Sequence, residues 1–220
     1  MKREKEPLTI ENIKRVHLER RDEITRRLAE FTKIGTSGTN RNLFEEMVFC
    51  FFTGGCSARM GLNALEAVKP ILMTADQAEL TNALLGVHRY PNARSRYIIA
   101  SRTFLQEHCG MRLRNKLKGF ECRHERRDWL VKEKGIKGLG YKEASHYLRN
   151  IGFKGYAILD KHVLNCLAEL KIIDDPKPPN TRTKYLMIEE KLQQLTDLTG
   201  IDFDELDLVL WSMKTGVILK

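Results

Sequence analysis

With 220 residues and 42% apolar side chains, the chain can bury one large core or two small ones, which excludes an intrinsically disordered protein. Thirty-eight Lys and Arg against 29 Asp and Glu give a net charge of +9 and a pI near 9.3; this suits a polyanionic partner, nucleic acid above all, although a solvated basic surface gives the same totals. No apolar run reaches the roughly 18 residues a membrane span needs, and Cys50, Cys56, Cys109, Cys122 and Cys166 fit neither a disulfide framework nor a zinc site.

The N-terminal stretch MKREKEPLTIENIK lacks the apolar core of a signal peptide, so a soluble, cytoplasmic protein is expected. Ile10, Ile13, Ile24, Leu28 and Phe31 recur at helical spacing among Arg, Lys and Glu, which predicts one amphipathic helix or two with Thr9 as N-cap. GTSGTNRN at 35–42 reads as a loop. NLFEEMVFCFFTGG is apolar nearly all round and predicts a buried central helix ended by Gly54 and Gly55. From Ser57 to Met73, Met60, Leu65 and Ile71 fall on plausible core faces. Thr74 and Gln77 fit a capping box that opens a helix reaching Gly86. HRYPNARS reads as a turn before an amphipathic stretch from Arg94 to about His108. The segment 128–150 reads as helix, hairpin, helix around GIKGLG. Asp160 is placed to cap the helix KHVLNCLAEL. The prolines of DDPKPPNTR make 174–182 a loop, and helices follow over roughly 183–198 and 203–214. Strand alternation is absent, so the fold class is all-α with nine or ten helices.

Charge is concentrated in one stretch. Between Met111 and Lys137, ten basic residues (Arg112, Arg114, Lys116, Lys118, Arg123, Arg126, Arg127, Lys132, Lys134, Lys137) face four acids, a surplus of six. The hairpin Ile136-Lys137-Gly138-Leu139-Gly140-Tyr141-Lys142 follows directly. Its two glycines permit a tight turn, and uncovered backbone N–H groups beside a helix start form a phosphate site. That is the helix-hairpin-helix way of holding a DNA backbone, in which Gly138 and Gly140 grip without reading sequence. An ordinary helix-helix turn can also contain GxG. Lys142 lies in the first turn of the second helix, where the dipole opposes its charged form; an amine nucleophile needs that neutral form. For an isolated residue a plain surface lysine is the simpler account. Asp160 comes 18 residues later, enough chain to run up one helix and back, and a plain N-cap is its simpler account.

GLGYK, followed 18 residues after its lysine by the aspartate of ILDKH, resembles the helix-hairpin-helix, Gly/Pro-rich-loop, Asp superfamily of DNA glycosylases. IKGLGYKEASHYLRNIG and the C-terminal LDLVLWSMKTGVILK are similar to the archaeal-type 8-oxoguanine DNA glycosylases. The resemblance implies a six-helix barrel over 36–160 that carries the hairpin, and a helical bundle built from 1–35 with 161–220. It implies an enzyme acting on double-stranded DNA that contains 8-oxoguanine, associated with the nucleoid through that DNA, and needing no cofactor and no metal; a monomer is expected, although the sequence does not give the oligomeric state. The damaged nucleotide would be flipped into a pocket. Lys142 would attack the sugar C1′ and expel the base. The resulting Schiff base would undergo β-elimination, with Asp160 stabilising the positive sugar. Trp211 and Lys220 match the class's base-recognition residues, while a core aromatic and a frayed terminus are the simpler accounts of each. His162, in the D-x-H position, is expected at a phosphate or in a local capping bond. The cysteines of an iron–sulfur cluster are missing after Cys166, and Gly54-Gly55-Cys56 is small where relatives place residues that fill the flipped base's gap; Arg59 is one substitute. A glycosylase for another oxidised base, a non-enzymatic hairpin DNA-binding module and an RNA-binding scaffold remain as competing readings.

Overall fold

In a computed structural model the described residues, 8–220, form eleven helices and no strand. They divide into two compact units, Phe31–Phe153 and 8–30 with Lys154–Lys220. Helix α1 (Ile10–Ser37) is a single helix of 28 residues. Thr9 starts it, accepting from the Asn12 N–H at 3.2 Å. Helices α2 (Asn40–Thr53), α3 (Ala58–Val68), α4 (Gln77–Leu84), α5 (Pro91–Cys109), α6 (Leu113–Lys118), α7 (Arg123–Lys132) and α8 (Tyr141–Asn150) follow in the first unit. Helices α9 (Lys161–Glu169), α10 (Arg182–Thr199) and α11 (Phe203–Thr215) follow in the second.

The core of the Phe31–Phe153 unit is α2, buried continuously from Leu43 to Thr53. Helices α3, α5, α6 and α8 pack around it. Burial this complete requires its polar members to be paired. Glu46, 4% exposed, accepts from Asn150 Nδ2 at 3.1 Å. In the other unit, α9 and α10 pack on α11.

Several expected boundaries move for identifiable reasons. The loop expected over 35–42 shrinks to Gly38-Thr39. The Thr36 and Ser37 hydroxyls bond back to carbonyls one turn earlier, and Thr39 with Asn42 forms a capping box for α2. The box at α4 is Asp76 with Glu79, two residues along from the expected Thr74 and Gln77: Asp76 Oδ1 accepts from the Glu79 N–H at 2.9 Å and Glu79 Oε2 from the Asp76 N–H at 2.8 Å. Helix α5 starts at Pro91, whose fixed φ and missing N–H suit a first helical position. Leu72, fully buried, takes the core place expected of Ile71.

The unit boundaries fall at 30/31 and 153/154, where the sequence suggests 35/36 and 160/161. Phe31 is buried beneath Arg149 of α8, whose guanidinium lies 4.7 Å from its ring centroid. Gly155, Ala157 and Leu159 draw backbone hydrogen bonds from side chains of α10 and α11.

Arginines tie down the loops of the Phe31–Phe153 unit. Arg102 donates to the Leu72 and Ala75 carbonyls at 2.7 Å each, Arg114 to those of Gly35 and Gly38, Arg126 to those of Leu117 and Phe120, and Arg41 to that of Lys69. The planar guanidinium fork reaches two carbonyls at once, which an ammonium on a flexible stem does not do in fixed geometry.

Candidate active site

The hairpin between α7 and α8 is seated on α5. A Cβ on Gly138, at φ +81°, would lie 2.5 Å from Tyr97 Cδ2, and one on Gly135 would lie 2.1 Å from the Phe104 ring. Only glycine fits either place. The Lys137 N–H donates to the buried Ser101 Oγ at 3.1 Å, and Ile136 and Leu139 are buried. Gly140 differs from expectation. Its φ of −83° is open to any residue, so the positive-φ argument belongs to Gly138 alone. As N-cap of α8, Gly140 brings no side-chain acceptor to the first-turn N–H groups. Uncapped donors at the positive end of a helix suit a phosphate.

Lys142 stands in that first turn with its side chain 24% exposed, and its Nζ lies 3.5 Å from Glu143 Oε1. Beneath them is Cys50 of α2. Burial pushes its thiol pKa well up and Glu46 adds to this, while Lys142 pulls the other way. Gly54 borders the same place, since a Cβ there would come 3.7 Å from Glu143 Oε1. The Arg94 guanidinium donates to the Gly54 carbonyl and lies 5.6 Å and 5.3 Å from the Tyr90 and Tyr97 ring centroids. The small Gly54-Gly55 turn is thus fastened by Arg94 next to the lysine. Arg59 is exposed on α3.

In the other unit Asp160 caps α9. One oxygen, Oδ1, accepts both cap bonds, from the His162 N–H at 2.8 Å and the Val163 N–H at 2.9 Å. Both cap bonds fall on Oδ1, which places Oδ2 outside the cap. The His162 ring stands edge-on to Trp211, centroids 6.3 Å apart at 87°. Trp211 is partly exposed, so it is not a core aromatic, and Lys220 is partly exposed at the chain's end. The structure brings His162 and Trp211 together beside the Asp160 cap. Gly138, Gly140 and Lys142 belong to the Phe31–Phe153 unit.

The basic stretch is less available than its composition suggests. Arg127 is fully buried and donates to Ser145 Oγ at 3.0 Å. Arg114 and Arg126 are committed to backbone carbonyls. Lys132 pairs with Asp128 at 2.9 Å. Arg112, Lys116, Lys118, Arg123, Lys134 and Lys137 are exposed. Among the described residues no three of His, Cys, Asp and Glu are grouped as a metal ion would need. No described helix is long and apolar enough to cross a membrane.

Sequence reading missed Ser101 and Tyr97 because their roles are long-range, and it passed over Glu143. Glu143 alone had a local signal, adjacency to Lys142.

A helical chain with a lysine opening the second helix of a GxG hairpin, and an aspartate opening the next, has the construction of a helix-hairpin-helix DNA glycosylase. The model of the family described as "8-oxoguanine DNA glycosylase" matches residues 24–201. The 8-oxoguanine DNA glycosylase/AP lyase of Korarchaeum cryptofilum is 40% identical over 201 residues, 91% of each chain. That of Fusobacterium nucleatum is 36% identical over 213 residues, covering 94% of this chain and 96% of its own. The crystal structure of the Methanocaldococcus jannaschii 8-oxoguanine glycosylase/lyase, in complex with 15mer DNA containing 8-oxoguanine, superposes with a TM-score of 0.87 at 33% identity, covering 96% of this chain and 99% of that one. The 8-oxoguanine DNA glycosylase of Thermotoga maritima gives 0.86 at 32% identity, covering 96% and 98%. The chain belongs to the 8-oxoguanine DNA glycosylase family.

Proposed function

We propose that this protein excises 8-oxoguanine from duplex DNA and then cleaves the strand as an AP lyase, with Lys142 as nucleophile and Asp160 as the partner carboxylate. The observation that carries the reading is Lys142 itself: a partly covered amine in the first turn after a GxG hairpin, in a chain whose relatives bear that activity in their names. The hairpin N–H groups and Lys134 and Lys137 hold the phosphate backbone. The target nucleotide leaves the base stack. The Lys142 Nζ lone pair forms a bond to C1′, the N-glycosidic bond breaks, and the base departs with that electron pair and takes up a proton. Loss of the amine proton and opening of the sugar ring give the imine. Removal of a C2′ proton then expels the 3′ phosphate, breaking the C3′–O bond. The Asp160 carboxylate stabilises the positive charge that develops on the sugar. Trp211, held by His162, stacks on the extruded base, and Lys220 distinguishes 8-oxoguanine from guanine. The protein works on chromosomal DNA.

Borohydride trapping tests the reading. A covalent adduct is expected with duplex DNA carrying one 8-oxoguanine, and none with Lys142→Gln, which should still bind that DNA. Trapping by Lys142→Gln at the rate of the unaltered protein would remove Lys142 from the role.

A further inference from the structure

The segment that delivers Asp160 to its helix is buried but not helical. Tyr156, Ala157, Ile158 and Leu159 are all under 7% exposed. A buried extended segment needs partners for its backbone groups, and in place of a strand it finds side chains. The Gly155 N–H donates to Asp204 Oδ1 at 2.7 Å and the Ala157 N–H to Glu189 Oε1 at 2.9 Å. Tyr185 Oη donates to the Ala157 carbonyl at 2.7 Å and accepts from the Leu159 N–H at 3.4 Å. The served N–H groups alternate (155, 157, 159), as they would along a strand edge. The Asp160 N–H then turns back to the Ile158 carbonyl at 2.9 Å and the helix begins. Tyr185 and Glu189 are 1% and 3% exposed and lie one turn apart on α10; Asp204 lies in the first turn of α11.

We infer that Tyr185, Glu189 and Asp204 form a clasp that sets the position of the Asp160 carboxylate, and so act as positioning residues for excision. The inference rests on the role given to Asp160 above. A buried carboxylate is costly unless hydrogen-bonded, and part of this one is spent on the backbone three residues before Asp160. Glu189 needs to be an acceptor there, so glutamine should replace it and methionine should not. Tyr185 needs its hydroxyl, which phenylalanine lacks.

The test is single-turnover excision from an 8-oxoguanine duplex, with affinity for the same duplex measured in parallel. Glu189→Met and Tyr185→Phe are expected to slow excision on the order of 10- to 100-fold with affinity unchanged, the scale of a small misplacement of a reacting group. Glu189→Gln should recover most of the rate. In an Asp160→Asn background Glu189→Met should add nothing, because groups that act through one another are not additive. The same slowing by Glu189→Met in both backgrounds would overturn the clasp, as would full rates in both Glu189→Met and Tyr185→Phe. If Glu189→Met fails to fold, Tyr185→Phe, which removes only the hydroxyl, carries the test alone. Full excision by Asp160→Asn would instead defeat the role of Asp160, and the clasp with it. An inactive Asp160→Asn beside fully active Glu189→Met and Tyr185→Phe would defeat the clasp alone.

Discussion

Replacing Gly138 by alanine tests whether the hairpin is seated by its contact with α5. Two costs add. At φ +81° an L-residue is strained by about 1–2 kcal/mol. The new Cβ would also stand 2.5 Å from Tyr97 Cδ2 and 2.9 Å from Cε2. The ring has little room to yield, with the Arg94 guanidinium 5.3 Å from its centroid and Phe51 edge-on at 6.4 Å. Overpacking of this kind costs about 1–3 kcal/mol. The sum, about 2–5 kcal/mol, is read by urea unfolding at 25 °C. Gly200→Ala is the control: its φ is +69° with nothing within 4 Å of the added Cβ, so it should lose the strain part only, about 1–2 kcal/mol. If the hairpin rather than Tyr97 gives way, affinity for undamaged duplex falls as well. In a Tyr97→Ala background the second cost should vanish. Equal losses for Gly138→Ala and Gly200→Ala, with DNA affinity intact, would refute the reasoning.

Lys137→Ala should weaken DNA binding and lower the salt dependence of the affinity by about one phosphate contact, while Arg114→Ala should lower thermal stability and leave that slope alone; titrations at several salt concentrations separate the two. Cys166, fully buried, has its thiol pushed up to about 12 by burial, with the Glu169 and Asp160 carboxylates adding to the rise and Lys214 opposing it. The folded state therefore keeps a proton that the unfolded state gives up from pH 9. This contribution to stability is complete below pH 9 and is lost as pH rises toward 12, at about 1.4 kcal/mol per pH unit. Cys166→Ala should flatten that alkaline slope in urea unfolding. Deleting Lys220 should reduce discrimination between 8-oxoguanine and guanine more than it reduces DNA affinity; equal losses in competition assays would end its role in recognition.

Much of the helical order was legible because it is local. The apolar run from Leu43 to Thr53 announces a buried helix, and Asp160 announces a cap. The Thr74 and Asp76 ambiguity shows the limit of such signals: two overlapping patterns fit, and the choice depends on which side chain reaches its N–H. The hairpin was legible from GLGYK, but its seat on Tyr97, Ser101 and Phe104 was not, since nothing in α5 marks those positions, earlier in the chain by 36 residues for the Lys137–Ser101 bond. The charge surplus over 111–137 misled in proportion, because a buried Arg127 and a surface Lys134 count alike in a sequence. Tyr185 and Glu189 sit in a helix whose pattern is ordinary, and their importance comes from a backbone 26 to 32 residues earlier in the chain.

The arginine forks that hold the loops bear on the conditions in which such a protein has to work. All five cysteines are free thiols, so no covalent cross-link secures the turns. Arg102, Arg114 and Arg126 take that role with groups that no ordinary oxidant or reductant converts. 8-Oxoguanine arises when a cell's oxidants overrun its defences, and thiols elsewhere are then being modified. Loops stapled by guanidinium to carbonyl are held by groups that this chemistry leaves alone, so at these turns the fastening is independent of the stress that generates the substrate.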